Sequence, residues 1–148
     1  MFTRRGERRR VNLDLAARAV DLPLPRSLGC ELRDPADPAV GARLVATPAG
    51  DNGAGGLHAG GLAVLTELAA FLAALPHLGP DEHVATHSAQ HQLLRAVRLG
   101  QTVDAVGTVL HRSRRLVFVR VDVTSGGVLV ATSQVVKSVV RPVPGPSN

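Results

Sequence analysis

The sequence has no tryptophan and no tyrosine and only three phenylalanines, so its core must be built from alanine, valine and leucine. It has one cysteine, Cys30, which excludes an intrachain disulfide and fits a reducing compartment. The longest apolar run, Gly60 to Leu75, falls short of the roughly 20 residues that a bilayer span needs. No apolar segment of the secretory kind follows the N-terminal arginines. The expectation is therefore a cytoplasmic protein with no membrane partner. It has one lysine, Lys137, against sixteen arginines.

What is there reads as one domain. The chain has 148 residues, 45% hydrophobic and 20% charged, which is ordinary globular composition and enough for a core. The net charge is +5. Residues 1–12 hold Arg4, Arg5, Arg8, Arg9 and Arg10 beside Glu7, and without them the excess falls to about +1. They read as a solvated, disordered arm. No aromatic residues interleave with the arginines to stack on bases, so no nucleic-acid partner is expected. Residues 142–148 form a proline-rich tail that cannot hold a strand. The domain lies between, over residues 13–141.

Two short strands are expected at Leu28 to Arg33 and Val40 to Thr47, joined by a turn at Asp34-Pro35-Ala36-Asp37-Pro38. A glycine-rich loop, Pro48 to Gly56, leads into a helix over Gly60 to Leu75 that Pro76 ends. That helix is apolar nearly all round, so it must be surrounded on most sides. Four strands follow, at Val84 to Val97, Thr102 to Leu110, Leu116 to Thr124 and Val128 to Arg141. In the third, Val117, Val119, Val121 and Val123 alternate with Phe118, Arg120, Asp122 and Thr124, a period of two. Short connections predict an antiparallel meander of all four. The fold class is α+β: a curved antiparallel sheet wrapped around one long central helix, which is the hotdog arrangement. A single such sheet leaves an edge unfinished, so protomers are expected to pair.

Glu67 is the residue that needs a reason. Thr66 is the only other polar side chain from Leu62 to Leu75, and an unpaired buried carboxylate costs several kcal/mol, roughly. Two reasons are open: a structural pairing, or a ligand pocket in which the carboxylate acts as a general base. Upstream, Asn52, Gly55 and His58 stand three apart, and Glu67 follows nine after His58. The first free N–H groups of the helix, around Ala59 and Gly60, suit an oxyanion. Asn52 is equally explained as a turn residue in Asp-Asn-Gly, and His58 as a helix-entry residue. On the strand after the helix, strict alternation puts Thr86, Ser88, Gln90 and Gln92 on one face and His87 and His91 on the other. The two histidines are then about 13 Å apart, too far to share a metal. One cysteine and no HxxxH helix pair leave too few ligands for a metal site. No Gly-x-Ser-x-Gly elbow, P-loop or dinucleotide fingerprint is present.

The pattern Asn52-x-x-Gly55-x-x-His58-x-Gly60, followed by an acid at Glu67, resembles that of the PaaI-like hotdog acyl-CoA thioesterases. The resemblance runs over roughly residues 24 to 140. It takes in Leu93-Leu94-Arg95-Ala96 with Leu99-Gly100-Gln101, His111 to Leu116, and Gly127 to Ala131. It implies hydrolysis of an acyl-CoA thioester to the free acid and coenzyme A, with no cofactor. Glu67 would be the nucleophile or the base that activates water. The Ala59 N–H would polarise the thioester carbonyl, His58 would orient that loop, and Asn52 would place the water or the thioester. Thr86 would help hold the water, with Gly55 and Gly60 shaping the binding loop. The resemblance also implies a homodimer, or a dimer of dimers (a homotetramer), with Glu67 facing the His58 loop of the partner. The candidates for the coenzyme A phosphates are among Arg95, Arg98, Arg112, Arg114, Arg115 and Lys137, the cluster Arg112, Arg114 and Arg115 first.

One departure stands out. The family usually has Gly directly after the His, and this chain has Ala59, which keeps the N–H but adds a methyl group beside the carbonyl. The rival reading is a non-catalytic acyl-CoA-binding hotdog module. The hotdog dehydratases are a third, but their order of His and acid is not found here.

Overall fold

A computed structural model of the chain describes residues 4–141. The elements run α1 (Arg4–Asp21), α2 (Pro23–Ser27), β1 (Glu31–Leu32), β2 (Ala42–Val45), α3 (Ala59–Ala74), β3 (His83–Leu93), β4 (Thr102–Arg112), β5 (Leu116–Ser125) and β6 (Val128–Val140). All six strands join one antiparallel sheet that wraps α3. This is the hotdog architecture expected from the order of elements.

The helix α3 forms because Ala and Leu dominate it and both ends are marked. At its start the His58 Nδ1 accepts a hydrogen bond from the Gly60 N–H at 2.8 Å, taking the capping role usually given to Ser, Thr, Asp or Asn. At its end Pro76 tightens the chain into a 3-10 turn, Leu75–His77. Counted with that turn, Ala59–His77 has 19 residues and is long and apolar enough to cross a membrane, against the shorter count made from the sequence. Here it is the core helix, with Leu65, Ala69, Ala70, Leu72 and Ala74 fully buried. They pack on the inward valines of β5, where Val117, Val119, Val121 and Val123 are all buried, as the period of two requires.

The expected four-strand meander is corrected. β4, β5 and β6 are consecutive neighbours, but β3 lies at the far edge against β6 rather than beside β4. The segment between β3 and β4 is too long for a hairpin and crosses the end of the sheet beneath the start of α3. It is stitched on the way: the Leu94 and Arg95 N–H groups donate to the Val130 carbonyl, and the Leu57 N–H to the Val97 carbonyl. The Leu99 N–H donates to the Gly55 carbonyl and the Gly100 N–H to the Ala46 carbonyl. Every backbone group that pairs there replaces a ladder bond. The crossing therefore fixes the loop that carries Asn52 and His58.

The N-terminus is also corrected. Residues 4–12, expected as a disordered arm, form the first half of α1. Leu15, Ala16, Ala19 and Val20 recur at helical spacing and pack on the core, with Ala16 fully buried. That packed half supplies the nucleus, and arginine is a good helix former, so the exposed turns before it propagate. Asn12 Nδ2 reaches the Leu75 carbonyl at 3.5 Å and ties α1 to the end of α3. The proline-rich tail, 142–148, lies outside the described residues.

Candidate active site

On α3, Ala63, Val64, Glu67 and Phe71 recur at spacings of one, three and four and stay only half-buried, while most of the helix around them is covered by the sheet. The chain covers this stripe with its own N-terminal segment: Leu15, Ala19 and Leu22 of α1 and its exit, and Leu24 and Pro25 of α2, stand across from it. Between them lies an open, almost wholly apolar cavity of about 510 Å³, with Glu67 as its one acid and Arg18 and His83 on its lining.

Glu67 is not unpaired. Its Oε2 accepts from the Thr86 hydroxyl at 2.6 Å and from the Lys137 ammonium at 2.6 Å, and Lys137 Nζ also donates to Thr86 Oγ1 at 3.0 Å. Glu67 keeps 31% of its side-chain surface exposed, whereas Lys137 keeps 7%. Among the described residues no side chain bonds Oε1. The structural pairing is therefore present, and it uses Oε2 alone. Thr86, expected to help hold a water, donates its hydroxyl to Glu67.

The strand faces need a correction. Thr86 lies opposite Lys137, but the next pair is Ser88 with Val136, because His87 is an extra residue at a β-bulge. Thr86 therefore shares its face with Ala89, His91 and Leu93, and not with Ser88, Gln90 and Gln92. On that inner face His91 Nδ1 meets Ser133 Oγ at 2.8 Å.

A second cavity, of about 470 Å³, opens at the start of α3, lined by Asn52, Leu57, His58, Ala59 and Leu62 and by residues 93–97 of the crossing segment. Asn52 staples its own loop. Its Oδ1 accepts from the Ala54 N–H at 2.7 Å and the Gly56 N–H at 3.2 Å, an Asx-type turn. Gly55 sits at φ +77, where a side chain would be strained. The tight position is its neighbour Gly56, where an added Cβ would fall 2.9 Å from the Val97 carbonyl oxygen. His58 donates its N–H to the Gly50 carbonyl at 2.7 Å, and its ring occupies the Gly60 N–H. The Ala59 N–H is left as the open donor at the positive end of the helix.

Nine residues of helix separate His58 from Glu67, about 13 Å along the axis. Within one chain they cannot reach the same reacting atom. Asn52, His58 and Ala59 meet at one cavity; Glu67 lines the other, with Thr86 and Lys137 bonded to it from β3 and β6.

Arg95 lines the cavity at the start of α3, while Arg112, Arg114 and Arg115 lie elsewhere. Arg112 is held by Glu82 at 2.6 Å, and Arg141 reaches the other oxygen of Glu82 at 2.7 Å. The Gly79 N–H and these guanidiniums hold the Glu82 carboxyl below its ordinary range, with burial opposing them. Arg112 thereby anchors the loop before β3 through one nitrogen of its guanidinium. Arg114 and Arg115 are exposed in the β4–β5 turn. Among the described residues no three His, Cys, Asp or Glu converge on a point that could hold a metal ion.

The thioesterase superfamily model matches residues 54–132, more than half of the chain. The chain belongs to the thioesterase superfamily. No curated protein matches the sequence. A thioesterase from Haemophilus influenzae shares the fold at TM-score 0.78 and 21% identity, over 99% of this chain and 96% of its own. A variant of the phenylacetic acid degradation protein PaaI from Thermus thermophilus superposes at TM-score 0.68 and 24% identity, over 78% of this chain and 97% of its own. A Streptococcus mutans protein bound to acetyl CoA does so at TM-score 0.62 and 21% identity, over 68% and 79%. Within the family match, Glu67 and Thr86 are residues that the sequence picks out. Lys137 falls just beyond it, and the sequence weighs it only as one of several basic residues. Its signal was parity: on β6 it shares the inward face of Ala131, Ser133 and Val135, which are otherwise uncharged.

Proposed function

We propose that this chain is an acyl-CoA thioesterase whose site is completed by a second copy. The observation that carries the reading is Glu67: a carboxylate pinned by one oxygen, with the other free on the wall of an apolar cavity inside a thioesterase-superfamily fold. The acyl group lies in that cavity, whose walls offer it apolar surface and no competing polar partners. Glu67 Oε1 takes a proton from water as the water adds to the thioester carbonyl. The carbonyl oxygen, gaining charge, is met by the Ala59 N–H at the start of the partner's α3, with the Asn52 amide beside it. The tetrahedral species then breaks its C–S bond, the proton held by Glu67 passes to the departing sulfur, and the free acid and coenzyme A are left with Glu67 ionised again.

The spacing of about 13 Å between the two half-sites supports a partner. So does β3, an 11-residue edge strand with Thr86 to Gln90 exposed, which is a ready surface for a second sheet edge. Coenzyme A as the carrier is supported by two fold relatives, the one with acetyl CoA and a hypothetical thioesterase from Streptococcus pneumoniae with coenzyme A.

The test is thiol release from short, medium, long and aryl acyl-CoA substrates, wild type beside Glu67→Gln. Turnover that falls by roughly 10²-fold or more in the variant supports the reading. Tight acyl-CoA binding without release from any substrate would replace it with the non-catalytic binding module.

A further inference from the structure

The geometry points to Lys137 as a positioning residue for Glu67, a role that rests on the thioesterase reading above. Lys137 is the only lysine of the chain and stands on the inner face of β6 with 5% of its surface exposed. An ammonium in such a place is costly unless it is paired and hydrogen-bonded. Here it is both, to the Glu67 carboxylate and to the Thr86 hydroxyl.

The arrangement is asymmetric. Both donors converge on Oε2, at 2.6 Å each, and they also touch one another at 3.0 Å. Two donors from two different strands, β3 and β6, fix the position of one oxygen. The second oxygen of a planar carboxylate then has little freedom left. A free glutamate side chain would lose rotamer freedom on being ordered. In this fold that ordering is complete before substrate arrives, so Oε1 is already aimed when water and thioester meet. The other charged or titratable groups on the cavity, Arg18 of α1 and His83 at the start of β3, make no bond to the carboxylate among the described residues.

A purely structural lysine would matter to stability and be indifferent to the chemical step. The two roles separate in a double-mutant cycle on kcat. Lys137→Met keeps length and volume and removes the charge. With folding checked by circular dichroism, its kcat should fall by about 10- to 100-fold while KM moves by no more than about twofold. In the Glu67→Gln background the same change should have almost no further effect, because there is no carboxylate left to aim. Lys137→Arg keeps the charge but displaces it, and should recover part of the lost kcat. A kcat within about twofold of wild type in folded Lys137→Met overturns the role, as does an equal loss in both backgrounds. If Lys137→Met does not fold, Lys137→Arg decides alone: wild-type kcat in that variant overturns the role, and a reduced kcat that vanishes as an effect in the Glu67→Gln background supports it. If wild type itself releases no thiol, it is the thioesterase reading that has failed, a result distinct from each of these.

Discussion

Gly107 of β4 lies so close under Ala73 of α3 that a Cβ added to the glycine would stand 2.7 Å from the Ala73 Cβ and 2.9 Å from the Ala69 carbonyl oxygen. The helix that carries Glu67 is therefore seated directly on strand backbone, with no side chain between. Neither neighbour can swing aside, since one is a methyl fixed to the helix and the other is the helix backbone itself. Gly107→Ala should gain about 0.4–1 kcal/mol from a stiffer unfolded chain and lose more to overpacking, of the order of 1–3 kcal/mol. The expected outcome is a lower urea midpoint with an unchanged slope. An unchanged or raised midpoint would mean that the helix does not sit this low.

Cys30 offers a second check on packing, and it bears on the assay. The thiol is 6% exposed, and burial pushes its pKa up to about 11. At pH 8 only about one such thiol in a thousand is thiolate, the reactive form. The native protein should give almost no colour with a thiol reagent, and one thiol per chain after unfolding in urea. Because the folded state holds the proton more tightly, the burial favours folding below the thiol's unfolded range. That contribution is lost as pH rises through the folded value near 11. Cys30→Ala should show a shallower loss of stability from pH 8 to 10. Fast labelling of the native thiol would contradict the burial.

The sequence made the architecture legible where one physical rule acted alone. An apolar helix with a proline stop, and valines at every second position of β5, had a single solution each. It misled where two rules met. Period-two alternation placed Thr86 with Ser88, and the bulge at His87 broke that parity. Short connections suggested a four-strand meander, but the crossing segment pairs with four separate places and carries β3 to the other edge. The arginine-rich start looked like an arm because charge dominates its composition, while the stripe that docks it begins only at Leu15. At the site, Glu67 was visible as an acid out of place, whereas its partner Lys137 came from seventy residues away and could be found only through strand register. Asn52 and His58 were located correctly on the loop and the helix start, yet their hydrogen bonds are to that loop and that helix.

That last point sets up the sharpest test of a shared site. If Glu67 works with the Ala59 loop of the partner, then a chain lacking the carboxylate and a chain with a damaged loop carry complementary defects. Glu67→Gln spoils one half. Gly56→Val spoils the other, because its side chain would drive into the Val97 carbonyl and displace the loop. Each variant alone should be nearly inactive. Mixed after reversible unfolding and refolded together, they should form hybrid dimers in which one of the two sites draws both of its halves from intact segments. Random pairing makes about half of the dimers hybrid, so thiol release should return to about a quarter of the wild-type rate. Two copies that each housed a complete site would show no recovery on mixing. Recovery thus reads the 13 Å separation of the half-sites as a feature of the working enzyme, and its absence, with hybrids verified by mass, would place the whole reaction within one chain.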